Sequence, residues 1–181
     1  QCRVTNRHDA LRSLRRGEVQ VALTSLKEVA KDLEYRRFAT DRIVLIAPLD
    51  HPWAHRTIRP IDLLEGEFIS REAGSGTMTA VQEALVEHDL GVEDLPRAME
   101  LGNSEAIRMA VSEGYGVGFV SAMVATSAGP ENIAIVDLEG VAPSRILFMV
   151  RDSSTSATQV ESVFWDFAFS PETSELRDRI T

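Results

Sequence analysis

Glu100-Leu-Gly-Asn-Ser-Glu-Ala-Ile-Arg-Met-Ala-Val-Ser-Glu-Gly-Tyr-Gly-Val-Gly-Phe-Val-Ser121 is the stretch on which the reading of this chain turns. Asn103 and Ser104 are good N-cap residues, and Ala106, Ile107, Ala110 and Val111 then form one apolar helical stripe. Gly114 is placed to end that helix in a left-handed turn, and the apolar run Val117 to Val120 follows as a buried strand. With the strand Ala98 to Leu101 before it, the stretch is one unit of an open α/β sheet. Ligands of such sheets settle at strand C-termini and helix N-termini, so the cleft at Asn103-Ser104 is where function is expected.

A second loop of the same kind lies upstream. Phe68 and Ile69 begin a strand, Glu72-Ala-Gly-Ser-Gly-Thr77 is a Gly-rich loop, and Val81, Ala84 and Leu85 share one face of the helix that follows. First-turn N–H groups lack helical partners and sit at the positive end of the helix dipole, so this loop suits an anion; alternatively Ser75 only caps the helix. The two roles are compatible. Gly-Lys-Ser/Thr is missing, which removes a Walker phosphate loop. Gly114, Gly116 and Gly118 follow a helix and precede a strand, the reverse of the order a dinucleotide fingerprint requires.

Four segments in register, Leu14 to Leu23, Ile43 to Ala54, Phe68 to Thr77 and Leu101 to Ser121, resemble the effector-binding domain of LysR-type transcriptional regulators. The resemblance covers nearly the whole chain. It implies an α/β fold of two interleaved lobes joined by two crossing hinge strands, as in type 2 periplasmic binding proteins. Lobe one would hold residues 1–43 with 147–181, and lobe two residues 44–146. The inter-lobe cleft would receive Ser75, Gly76, Thr77, Asn103 and Ser104 from lobe two, with Asn6, Arg7 and Thr24 from lobe one. Relatives commonly carry a small hydroxyl residue where this chain has Arg7, so Arg7 either meets a carboxylate of the effector or points to solvent.

The same resemblance implies a small-molecule effector, a homodimer or tetramer, and DNA contact through an N-terminal winged helix-turn-helix outside this chain. The first strand and helix of lobe one would also lie outside it, since Gln1 to Thr5 reads as a strand already under way. Head-to-tail pairing would bring the Arg-rich helix Arg7 to Arg16 near the acidic stretch Glu83 to Glu100.

Composition narrows the alternatives. The chain has 181 residues, 44% hydrophobic and 26% charged, and no apolar run reaches the roughly 20 residues of a membrane span. Its net charge of −9 opposes a grip on phosphate backbone by this piece. Cys2 is the lone cysteine, which excludes an internal disulfide and a Cys-based zinc site and favours a reducing, cytoplasmic setting. No metal or cofactor is expected: His51 and His55 are four apart, but Pro52 stands between them.

A solute-binding protein of the same fold is the alternative to a regulatory sensor. A hydrolase using Ser75 or Ser104 is a further one, but Gly-x-Ser-x-Gly is missing and His8, His51, His55 and His88 lie in contexts unlike a catalytic base. The chain is therefore not expected to be an enzyme. Further elements are read at Asn6 to Gly17 (helix), Val19 to Leu23, Glu34 to Ala47, Ile133 to Asp137 and Arg145 to Arg151 (strands), and Ile61 to Leu64 and Ala122 to Thr126 (short helices). Ser156 and Gln159 suit a capping box, and Val160, Val163, Phe164, Phe167 and Ala168 trace a helical stripe expected in the core.

Overall fold

The structure is a computed structural model describing residues 2–127, 132–154 and 156–178. In chain order it forms helix α1 (Arg7–Arg15) and strands β1 (Val21–Thr24), β2 (Leu33–Pro48), β3 (Thr57–Ile58) and β4 (Phe68–Arg71). Helix α2 (Gly76–Leu85), strand β5 (Arg97–Leu101), helix α3 (Ser104–Ser112), strand β6 (Gly118–Ser121) and helix α4 (Ala122–Ala125) come next. Strands β7 (Ile133–Leu138) and β8 (Ser144–Asp152) and helices α5 (Gln159–Ala168) and α6 (Ser174–Asp178) complete the order. Contacts divide the chain into unit 1, residues 1–40 with 146–181, and unit 2, residues 41–145.

In unit 1, β8 pairs antiparallel with β1, Val21 opposite Arg151 and Thr24 opposite Phe148. Side chains alternate across a strand, and the alternation builds two layers here. Ala22 and Val150 face Leu11 and Leu14 of α1, whereas Val21 and Met149 face Trp165 and Ala168 of α5. Helix α1 starts where Asn6 Oδ1 accepts from the Asp9 amide at 2.9 Å, carries Asp9 in its first turn and Arg12 and Arg15 in its last, and stops at Gly17 with φ +68°.

Three expectations are corrected in this unit. Cys2 to Thr5 lies outside any strand and is exposed. A strand exists only through its ladder, and no described strand takes this segment as a neighbour. The stripe on α5 is mostly turned the other way: Val160 is 80% and Phe164 50% exposed, and Val163 and Phe167 are likewise outside the core, so that of the five expected residues only Ala168 is buried, beside Trp165 at 2% exposure. The indole packs edge-on against Phe169, with the Arg151 guanidinium 4.5 Å from its ring centre. The start of α5 is capped by Thr158, whose Oγ1 accepts from the Glu161 amide at 3.2 Å, instead of by a Ser156–Gln159 box.

In unit 2, β2 pairs antiparallel with β6 on one side and β7 on the other, and β3 runs parallel to β7. Strands β4 and β5 are parallel, and Phe68 bridges Val117 in parallel just before β6. Three consecutive chain passes therefore end on one edge. Leu45, Phe68 and Phe119 face Val81 and Leu85 of α2, while Ile46, Ile69 and Val120 face Ile107 and Val111 of α3. The two helices cover opposite faces of the sheet. Gly116 has φ +140°, and a Cβ there would collide with the Glu67 carbonyl. At Gly118 a Cβ would stand 3.0 Å from the Ile69 carbonyl and 2.7 Å from the Ile107 side chain. These glycines let β4 and α3 approach the chain at close range.

Candidate functional site

Arg71 pairs with Leu101 in the β4–β5 register, so both strands deliver their C-terminal residues to the same edge. From that edge two loops rise into two helix N-termini, α2 after Arg71 and α3 after Leu101. The helix starts differ in how their first-turn amides are satisfied. At α3, Asn103 Oδ1 accepts from the Ala106 amide at 2.7 Å. At α2, Ser75 occupies the N-cap position but its side chain makes no capping hydrogen bond. The expected Ser75 cap is absent.

Among the described residues the amides of Gly76, Thr77 and Met78 have no acceptor, the first helical bond being Thr79 N–H to the Ser75 carbonyl at 3.0 Å. Ser75 Oγ and Thr77 Oγ1 are also buried without a partner, in residues exposed by only 5% and 0%. A buried hydroxyl left unpaired costs about 1–3 kcal/mol, so two of them beside three free amides describe a place shaped for an acceptor. The helix dipole adds positive potential there.

One residue ties the two loops together. The Arg71 guanidinium, mostly buried, grips the adjacent Glu72 through Nε to Oε2 at 2.7 Å and Nη2 to Oε1 at 2.8 Å. Its Nη1 donates to Ser104 Oγ on α3 at 3.2 Å, and the Glu72 carbonyl accepts from the Ser75 amide at 3.1 Å. The Arg71 hydrogen bond holds the Glu72 carboxyl below its ordinary range, against the opposing effect of partial burial. Arg71 escaped the reading of the sequence. Its signal was a lone cation in Ser70-Arg-Glu-Ala-Gly-Ser-Gly-Thr77, at a strand end before a Gly-rich loop.

Ser75, Gly76, Thr77, Asn103 and Ser104 thus share one edge of unit 2. Asn6, Arg7 and Thr24 belong to unit 1. Asn6 is engaged in capping, and its Nδ2 also donates to Asp9 Oδ2 at 2.9 Å. Thr24 is buried, with Oγ1 accepting from the Leu26 amide at 3.0 Å. Arg7 is half-buried, and its Nε has no partner among the described residues. Among the described residues no three His, Cys, Asp or Glu side chains are placed to hold a metal, and no helix is long and apolar enough to cross a membrane. His51 Nδ1 accepts from the Trp53 amide at 3.2 Å, and burial holds this imidazole below its ordinary pKa.

The α/β architecture, with paired strand ends feeding helix N-termini, is that of periplasmic-binding-protein-like effector domains. The chain belongs to the LysR substrate binding domain family, whose model matches residues 1–170. It is 35% identical over 170 residues to an uncharacterized HTH-type transcriptional regulator of Methanocaldococcus jannaschii, covering 91% of this chain and 56% of that protein. To the HTH-type transcriptional regulator CbbR of Xanthobacter flavus it is 29% identical, covering 91% of this chain and 50% of the relative. The chain therefore spans about half the length of these relatives. The regulatory domain of Synechocystis CcmR, solved in complex with 2-PG, superposes with a TM-score of 0.79 at 27% identity, over 93% of this chain and 80% of that one. The effector-binding domain of QuiR superposes at 0.76 with 14% identity, over 97% of this chain and 79% of that chain, a likeness of fold alone.

Proposed function

We propose that this chain is the ligand-sensing part of a LysR-type, DNA-binding transcriptional regulator, and that a small anion is its effector. The observation that carries the reading is the mouth of α2, where three amides and two buried hydroxyls have no partner among the described residues. With a net charge of −9 the attraction has to be local, from helix ends and side chains near them. Relatives named as transcriptional regulators support a regulatory role over an enzymatic one. Contact with DNA through a separate N-terminal domain, self-association and a cytoplasmic setting belong to the same proposal.

Calorimetry on this chain with 2-PG, the ligand of the Synechocystis neighbour, and with inorganic phosphate tests it. Thr77→Val keeps the side-chain shape and removes the hydroxyl. It is expected to weaken binding about ten- to a hundredfold, the value of one hydrogen bond to a charged group, with the melting temperature of the free protein lowered little or raised. Equal affinity in the variant removes Thr77 from the site. Preference for an uncharged apolar ligand refutes the anion reading.

A further inference from the structure

The Arg71–Glu72 pair stands at the C-terminal end of β4, where the chain enters the loop into α2. Arg71 is mostly buried and Glu72 about a third exposed, at 14% and 31% of their side-chain surface. Neighbouring residues in a strand point to opposite faces, so the fork forms only because β4 ends at Arg71 and Glu72 turns back alongside it. The carboxylate occupies Nε and one Nη2 donor, the edge by which a guanidinium takes a ligand carboxylate or phosphate. Of the five N–H donors of Arg71, three are engaged by Glu72 and Ser104, which leaves two without an acceptor among the described residues.

We infer that Arg71 is the cation of the effector site and that Glu72 is its resident competitor, a carboxylate that the effector's anionic group displaces. This inference rests on the reading of the α2 and α3 loops as an effector site, and it adds the residue pair that sets the threshold for occupancy. Glu72 holds Arg71 in place while the site is empty and opposes any anion arriving near α2. An effector has to offer better acceptor geometry than Glu72, which a group that also meets the free amides of Gly76, Thr77 and Met78 does. Because Arg71 also donates to Ser104, exchange at Arg71 is felt at the first residue of α3.

The test is calorimetry of inorganic phosphate and 2-PG against the wild-type chain, Glu72→Gln, Arg71→Gln and Glu83→Gln. The last alters net charge as Glu72→Gln does but at an exposed position on α2 away from the pair. Glu72→Gln is expected to bind about tenfold more tightly than wild type and Arg71→Gln about tenfold more weakly, with Glu83→Gln unchanged. Equal or weaker binding by Glu72→Gln, or equal tightening by Glu83→Gln, overturns the competitor role. Retained affinity in Arg71→Gln overturns the role of the cation, and absence of binding in both wild type and Glu72→Gln overturns the whole inference. A loss in Thr77→Val without a gain in Glu72→Gln leaves the effector site standing and removes only this pair. Should Arg71→Gln fold poorly by circular dichroism, Arg71→Lys gives the same reading, since an ammonium lacks the bidentate fork.

Discussion

Asp41 and Arg145 face each other at the two points where the chain passes between its units, with Nε and Nη2 of the arginine each 2.8 Å from Asp41 Oδ2. The other carboxylate oxygen accepts from Ser121 Oγ at 2.5 Å, and Asp41 is exposed by only 2%. One buried charge thus joins β2, β8 and the end of β6. Removing one partner of a buried pair strands the other, so Arg145→Met is expected to cost about 3 kcal/mol. Ser121→Ala removes a single hydrogen bond to the carboxylate and is expected to cost about 1.5–3 kcal/mol. Urea denaturation measures both. Wild-type midpoints in the two variants would mean that Asp41 is solvated and the pair unimportant.

Glu72 carries a pH dependence whose sign follows from its depressed pKa. Arg71 favours the ionised carboxyl in the folded chain, so the associated stability is present above the unfolded-state value of about 4.3 and is lost as pH falls through the lower folded-state value. Side-chain NMR titration of wild type should place Glu72 below ordinary glutamates, and Arg71→Gln should return it toward them. A Glu72 titration that does not move in the variant would show that Arg71 is not its partner in solution.

Backbone geometry separates two glycines that the sequence alone presents as equals. Gly17 has φ +68° with open space where a Cβ would stand, and Gly116 has φ +140° with the Glu67 carbonyl in the way. Gly17→Ala should cost only the left-handed strain, about 1–2 kcal/mol. Gly116→Ala adds the displacement of β4, whose neighbour Val117 donates to Glu67 O at 2.9 Å, and should cost about 3 kcal/mol or more. Thermal unfolding of the two variants side by side checks the order. A smaller loss at Gly116 would contradict the close approach.

What was legible in the sequence was what is encoded locally. Asn103, the stripe of α3 and Gly114 lie within a dozen residues of one another, and the same is true of the loop leading into α2. Those elements, and the edge they define, follow from caps, periodicity and glycine. The contact of Arg71 with Ser104 spans 33 residues and that of Asp41 with Arg145 spans 104, and both depend on strand register that no local pattern prints. Cys2 to Thr5 fails for the same reason, because a strand without a partner is only a pattern. The empty cap at Ser75 was also out of reach, since a serine at that position reads as a cap until its hydroxyl is seen to be unused.

Helix α5 shows how periodicity finds a face without saying what meets it. The expected stripe splits: Val160, Val163, Phe164 and Phe167 stay largely exposed, while Ala168 joins Trp165 in packing on Met149. If the indole sets the rotation, Trp165→Ala should remove about 3–5 kcal/mol, as expected of a large buried side chain. Phe164→Gln, half-exposed at the start, should change stability by no more than about 0.5 kcal/mol. Arg151→Met adds a separate check, because Arg151 lies over the indole and also bonds Glu34 at 2.7 Å. It is expected to cost about 1 kcal/mol and to shift the tryptophan fluorescence of Trp165, with Trp53 replaced by Phe so that one indole reports. A large loss at Phe164 together with a small one at Trp165 would reverse the assignment, placing the aromatic stripe in the core after all.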